Sequence, residues 1–290
     1  MQWRPDWGLR GRMALTILLL GVLYVVFVAV LWTAFRSLLA LAFFLGLFSL
    51  GQFFFSDRLA LWSMGAEAVD PAAYPDLHRR VERLAQQADL PKPTVAVATT
   101  DVPNAFATGR SQSSATVCVT SGLLKTLDGE QLEGVLAHEL AHIKNRDVAV
   151  MTIASFLSTI AFLIVRWGWF FGGGHDRRGH PSIVVAIAVS LAVWVVSFLL
   201  VRALSRYREY AADRGGALIT GNPGALASAL LAIDGRMDRV PTEDLREQAE
   251  MNAFFVIPID RGFVGRIART HPPTEKRVDR LRALERELEV

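Results

Sequence analysis

The chain has 290 residues, 52% of them hydrophobic, with a mean hydropathy of +0.31 and a formal net charge of +3. This composition excludes an ordinary soluble enzyme and points to an integral membrane protein. Its one cysteine, Cys118, excludes an internal disulfide and reads as a small core residue, while the basic excess, gathered beside apolar runs, reads as membrane anchoring and not as nucleic-acid binding.

In chain order, Arg4, Arg10 and Arg12 precede an apolar run at 13–34. That run is too long for a secretory signal and lacks a small-x-small cleavage site, so it is expected to be an uncleaved anchor. A second run at 38–55, parted from the first only around Arg36, completes a hairpin. Leu77, Val81, Leu84 and Ala88 share one helical face in residues 76–89, before Pro91 and Pro93 stop the helix. Short strands are expected at 94–100 and 115–120, joined through Asn104 to Gly109. Asp128 and Gln131 form a capping box for a helix carrying Leu132, Val135, Leu136, Leu140 and Ile143. Apolar runs at 148–165 and 182–201 raise the total to about four transmembrane helices. Beyond them, Asn222 and Pro223 open a helix ended by Gly235, 242–251 is a polar helix, and Val278, Leu281, Leu284 and Leu288 stripe a last helix from Thr274.

The chemistry lies in the capped helix, which contains His138-Glu139-Leu140-Ala141-His142. Histidines four apart share one helix face and present two imidazoles to one metal ion, and Glu139 is placed to handle a water in an open coordination position. A catalytic zinc needs a third ligand. The pattern with a glycine and a third histidine after the motif fails, because Asn145 and Val148 stand there. Glu209 on a later helix fits, and Asp213, one turn on, is placed to accept a hydrogen bond from the outer nitrogen of a ligand histidine. Without the histidine motif, Glu209 and Asp213 would read as a solvated face salt-bridged to Arg206, Arg208 and Arg214.

Topology offers a check. His142 precedes the third span and Glu209 follows the fourth, so an even number of crossings leaves both on one side, each about 10 Å along a helix from its membrane end. Arg4, Arg10, Arg12, Arg58, Lys144, Arg146, Arg202, Arg206 and Arg208 fall on that side, against Arg36, Arg166, Arg177 and Arg178 opposite. The positive-inside rule then makes it the cytoplasm.

The set His-Glu-Leu-Ala-His, two apolar spans, Arg206-x-x-Glu209-Tyr210-x-Ala212-Asp213 and Thr270-His271-Pro272-Pro273-Thr274-Glu275-Lys276-Arg277 resembles the HtpX-type membrane zinc metalloproteases. The likeness covers nearly the whole chain, including Asn104-Ala105-Phe106-Ala107. It implies an α+β, mainly helical membrane protein with a zincin-like (gluzincin) catalytic domain containing a small β-sheet. It also implies one Zn2+ per chain on His138, His142 and Glu209, with Glu139 as catalytic base. Asn104 would lie beside the substrate strand and His271 would help stabilise the transition state. The expected organisation is a transmembrane hairpin (1–58), the first half of the catalytic domain (59–147), a second hairpin (148–202) and the second half (203–290). The implied partners are polypeptide substrates, chiefly membrane proteins, and the lipid bilayer. The implied role is quality control of membrane proteins at the cytoplasmic face of the inner membrane. The related branch that trims C-a-a-X prenyl proteins has more spans than the four expected here. Two other readings stay open on the residues alone: a zinc-binding membrane scaffold or sensor without hydrolysis, and a small transporter in which the motif is incidental.

Overall fold

A computed structural model of the chain describes residues 6–34, 60–171, 181–237 and 272–288, together with Leu47, Gly51, Phe54 and Arg58. They belong to two compact units, one of Met1–Arg4, Ser56–Ala149 and Arg206–Val290, the other of Pro5–Phe55 and Val150–Ser205.

The first unit is built on a four-stranded mixed sheet of β1 (Ala66–Ala68), β2 (Thr94–Ala98), β3 (Ala105–Thr108) and β4 (Thr116–Thr120), in the order β1-β2-β4-β3. β2 and β4 are parallel, pairing Val95 with Val117 and Val97 with Val119, and the two edge pairs are antiparallel. All but the first residue of each central strand is buried, so small and β-branched side chains fill both faces. The segment from Asn104 to Gly109, expected to be only a connection, contains the edge strand β3. Four residues, Ala-Phe-Ala-Thr, are too few to show alternation between the turn-forming Asn104 and Gly109. Gly109 has φ +131° and its hydrogen faces the Ala115 backbone, which lets the chain fold straight back toward β4.

Helices pack on this sheet. Pro75 starts α2 (Pro75–Gln87), whose face of Leu77, Val81, Leu84 and Ala85 is buried. A short α3 (Ser121–Thr126), capped by Thr120, leads to α4 (Gly129–Lys144). The capping box is present: Gln131 N donates to Asp128 Oδ1 at 2.9 Å and Asp128 N to Gln131 Oε1 at 3.2 Å. Arg146, at φ 55°, breaks the chain direction so that α5 (Asp147–Phe171) starts afresh one turn after His142. α6 runs unbroken from Pro181 to Thr220, uniting the fourth apolar run with the Glu209 segment. In α7 (Pro223–Met237), Asn222 Oδ1 accepts from Ala225 N at 2.9 Å. Gly235 does not end that helix, which continues to Met237 because its buried stripe runs on from Leu230 and Ile233 to Met237 itself. α8 (Thr274–Leu288) buries Arg277, Val278, Leu281 and Leu284. The expected helix at 242–251 lies outside the described residues.

The second unit contains α1 (Trp7–Ala34) and the apolar parts of α5 and α6. Phe27 packs with Ile160, Ala161 and Val193, and Leu20 with Ala154 and Leu204. Tyr24 donates its hydroxyl to the Ala154 carbonyl at 2.6 Å, which satisfies its polar tip inside an apolar cluster. Leu18, Val22, Val25, Ile153 and Leu199 face outward, as suits contact with lipid. Among the described residues three helices are long and apolar enough to cross a membrane, at Trp7–Val30, Asp147–Val165 and Ile187–Thr220. Most of the expected span at 38–55 lies outside the described residues.

Candidate metal centre

α4 and α6 cross at close range because Gly216 has no side chain: a Cβ there would lie 2.8 Å from His138 N. Glu209, Asp213 and Gly216 sit one and two turns apart on the face of α6 turned to α4. On α4, His138 and His142 are likewise one turn apart. The crossing brings His138 Nε2 and His142 Nε2 to 3.1 Å, with Glu209 Oε2 3.7 Å from the first and Glu209 Oε1 3.4 Å from the second.

The outer ring nitrogens explain why the inner ones converge. His142 Nδ1 lies 2.5 Å from Asp147 Oδ2, and His138 Nδ1 faces Asp213 Oδ1 across 3.1 Å. A carboxylate at Nδ1 places the N–H there, leaving both Nε2 atoms as lone-pair donors pointed at each other and at a carboxylate. Three electron-rich atoms so arranged call for a cation. Donors held about 2.0–2.1 Å from a tetrahedral zinc are about 3.4 Å apart, close to the three separations here. Charge agrees. Glu139, Asp147, Glu209 and Asp213 are all under 7% exposed, and among the described residues the buried cations paired with them are Arg208 and Arg277. Four carboxylates against two guanidiniums leave two negative charges for a divalent ion to neutralise. His138, His142 and Glu209 thus form a possible metal site.

The electrostatics favour positive charge at this point. Burial would lower the His142 pKa, but the Glu209 hydrogen bond and the charges of Glu209 and Glu139 outweigh it and raise the value above that of an ordinary histidine. Burial likewise opposes the charge of Arg277, and the Asp213 carboxylate, helped by Glu209 and Glu139, reverses this and holds its pKa above the usual guanidinium value.

Glu139 is buried beside His138 on α4. Asn104 is fully buried at the entry to β3, where its N–H donates to Thr120 Oγ1 and its carbonyl accepts from Thr120 N, both at 2.9 Å. His271 lies outside the described residues. Three members of the cluster were not singled out from the sequence for this role. Asp147 is the first residue of α5, Arg208 pairs with it and donates to the Asn145 carbonyl at 3.2 Å, and Arg277 reaches in from α8. Asp147 reads in sequence as the polar flank of an apolar run, and Arg208 as a salt-bridge partner on a solvated helix face. The signal that could have placed them in the site is their position beside the ligands, Asp147 five residues after His142 and Arg208 next to Glu209.

Residues 71–285 match the model of peptidase family M48. The chain belongs to peptidase family M48. Within it, the chain is 52% identical to a protease HtpX homolog of Moorella thermoacetica over 99% of this chain and 98% of that protein. It is also 52% identical to the protease HtpX homolog 2 of Methanosarcina mazei over 99% of each. The protease HtpX homolog 1 of Streptomyces coelicolor is 49% identical over 99% of this chain and 96% of its own. This kinship makes the M48 chain an HtpX-type membrane metallopeptidase, a hydrolase of peptide bonds, and removes the scaffold and transporter readings. In fold, it resembles the crystal structure of S. mikatae Ste24p, with a TM-score of 0.54 at 18% identity, over 95% of this chain and 66% of that one. The M48 chain thus spans just under two thirds of the length of that protein.

Proposed function

We propose that this M48 peptidase is a zinc endopeptidase that cuts misfolded or damaged membrane proteins at the cytoplasmic face of the inner membrane. The observation that carries the reading is the convergence of two carboxylate-tethered imidazoles and Glu209 on one point, with Glu139 next to a ligand on the same helix. His138, His142 and Glu209 would hold the metal. When bound, zinc supplies a Lewis acid and lowers the pKa of a nearby water toward about 7. Glu139 takes the proton from the attacking water on its carboxylate and passes it to the amine nitrogen of the leaving peptide. Asp147 and Asp213 face the outer Nδ1 atoms of His142 and His138 and so direct the Nε2 lone pairs inward. His271 is assigned a hydrogen bond to the carbonyl oxygen as it gains charge. β3 is an edge strand that begins just after Asn104, and an extended peptide laid along it would be held by main-chain hydrogen bonds, which tolerate many sequences. The cytoplasmic placement is supported by the excess of arginine and lysine on the side of the chain that carries both halves of the site.

The test is cleavage of an unfolded membrane substrate by Glu139→Gln protein purified in detergent. The expected loss is about 10²- to 10⁴-fold in rate with metal content unchanged. Full activity in this variant would remove Glu139 from the mechanism.

A further inference from the structure

The two imidazoles are backed alike. Behind His142, Asp147 hydrogen-bonds Nδ1 and pairs with Arg208; behind His138, Asp213 Oδ1 lies within ion-pair distance of Nδ1, 3.1 Å away, and Asp213 pairs with Arg277. The guanidiniums differ in origin. Arg208 is adjacent to Glu209, so α6 brings it along with a ligand, whereas Arg277 comes from α8, 64 residues beyond Asp213. Its grip on Asp213 is bidentate, Nε to Oδ2 at 2.9 Å and one terminal nitrogen to Oδ1 at 2.7 Å. The other terminal nitrogen is 3.5 Å from Glu209 Oε2, and the first is also 3.5 Å from His138 Nε2. At 1% exposure this is the largest fully buried side chain among the described residues.

A bidentate pair fixes a plane as well as a distance. With both Asp213 oxygens held by the fork, Oδ1 can meet His138 Nδ1 from one direction only, and the imidazole ring is set by it. Without the fork, Asp213 would be a buried carboxylate free to turn, beside two further buried carboxylates, Glu139 and Glu209. α8 is itself firmly seated: Val278, Leu281 and Leu284 belong to the core, and the Arg280 guanidinium stacks 4.3 Å over the Tyr210 ring.

We propose that Arg277 is a positioning residue of the metal centre, through which the C-terminal helix α8 fixes the Asp213 carboxylate and thereby the His138 ring in the orientation that metal binding needs. The inference rests on the zinc reading given above. It makes α8 a part of the site although the helix supplies no ligand.

The experiment measures zinc affinity of the full-length protein in detergent by competition with a chromogenic chelator, alongside thermal unfolding with and without zinc. Arg277→Gln is expected to bind zinc roughly 10- to 100-fold more weakly and to lose most of the zinc-dependent rise in Tm. Arg277→Lys keeps the charge but not the fork and should show an intermediate loss; it carries the test alone if the glutamine variant does not fold. Val278→Ala, the neighbouring core residue, should lower Tm equally with and without zinc and leave affinity unchanged, which separates positioning from general support. An affinity within about twofold of wild type in Arg277→Lys and Arg277→Gln, or an equal loss in Val278→Ala, would overturn the proposal. A wild-type protein that binds no zinc would instead overturn the metal reading on which it rests.

Discussion

Burial alone would make the His142 imidazole harder to protonate, yet the Glu209 and Glu139 carboxylates reverse this and raise its pKa. A proton and a metal ion compete for the same Nε2. In the metal-free protein, the stability gained from that proton is fully present below the ordinary histidine pKa of about 6.5 and is lost as pH rises through the raised value. Metal affinity runs the other way and weakens as pH falls through the raised value, roughly tenfold per pH unit for one proton displaced. Zinc titrations at a series of pH values should show that fall beginning above pH 6.5; an affinity independent of pH across about 5 to 8 would be inconsistent with it. His138, His142, Glu209 and Asp213 were legible in the sequence because each pair is one helical turn apart, a purely local relation. Arg277 was not legible in this role, since its partner Asp213 is 64 residues away and only tertiary packing joins them.

The helices were readable where a terminus carried its own chemistry. The Asp128–Gln131 capping box and the Asn222-Pro223 start both appear where the sequence puts them, since the atoms involved lie within one turn. Local signals failed where packing decided the outcome: β3 is stabilised by pairing with β4, and Gly235 is carried within α7 by the core contacts of its neighbours. The two glycines give opposite expectations. Gly216→Ala would place a methyl group against the His138 backbone at 2.8 Å and push α4 from α6. It should cost about 1–3 kcal/mol and weaken zinc binding as well. Gly235 has nothing within 4 Å of an added Cβ and is exposed, so Gly235→Ala should stabilise α7 by about 0.5–1 kcal/mol. Denaturant unfolding of both variants in detergent checks this pair. Gly216→Ala protein as stable as wild type would refute the close crossing.

At the scale of the molecule, hydropathy told most, because lipid demands long apolar helices with their backbone bonds satisfied internally. The runs at 13–34, 148–165 and 182–201 each fall within an observed helix. What hydropathy could not show is that α6 continues without a break from an apolar segment to Glu209, so one helix serves both the membrane and the site. Its sequence turns from apolar to charged at Arg202 while its backbone does not change. Metal binding depends on that helix presenting Glu209 to the two histidines of α4 around one divalent ion. Elemental analysis of the purified chain tests this most directly, with wild type measured beside Glu139→Gln and Glu209→Gln. We expect one zinc ion per chain in wild type and in Glu139→Gln, and loss of most of it in Glu209→Gln. A wild-type chain without stoichiometric metal, or a Glu209→Gln chain with its full complement, would contradict the account.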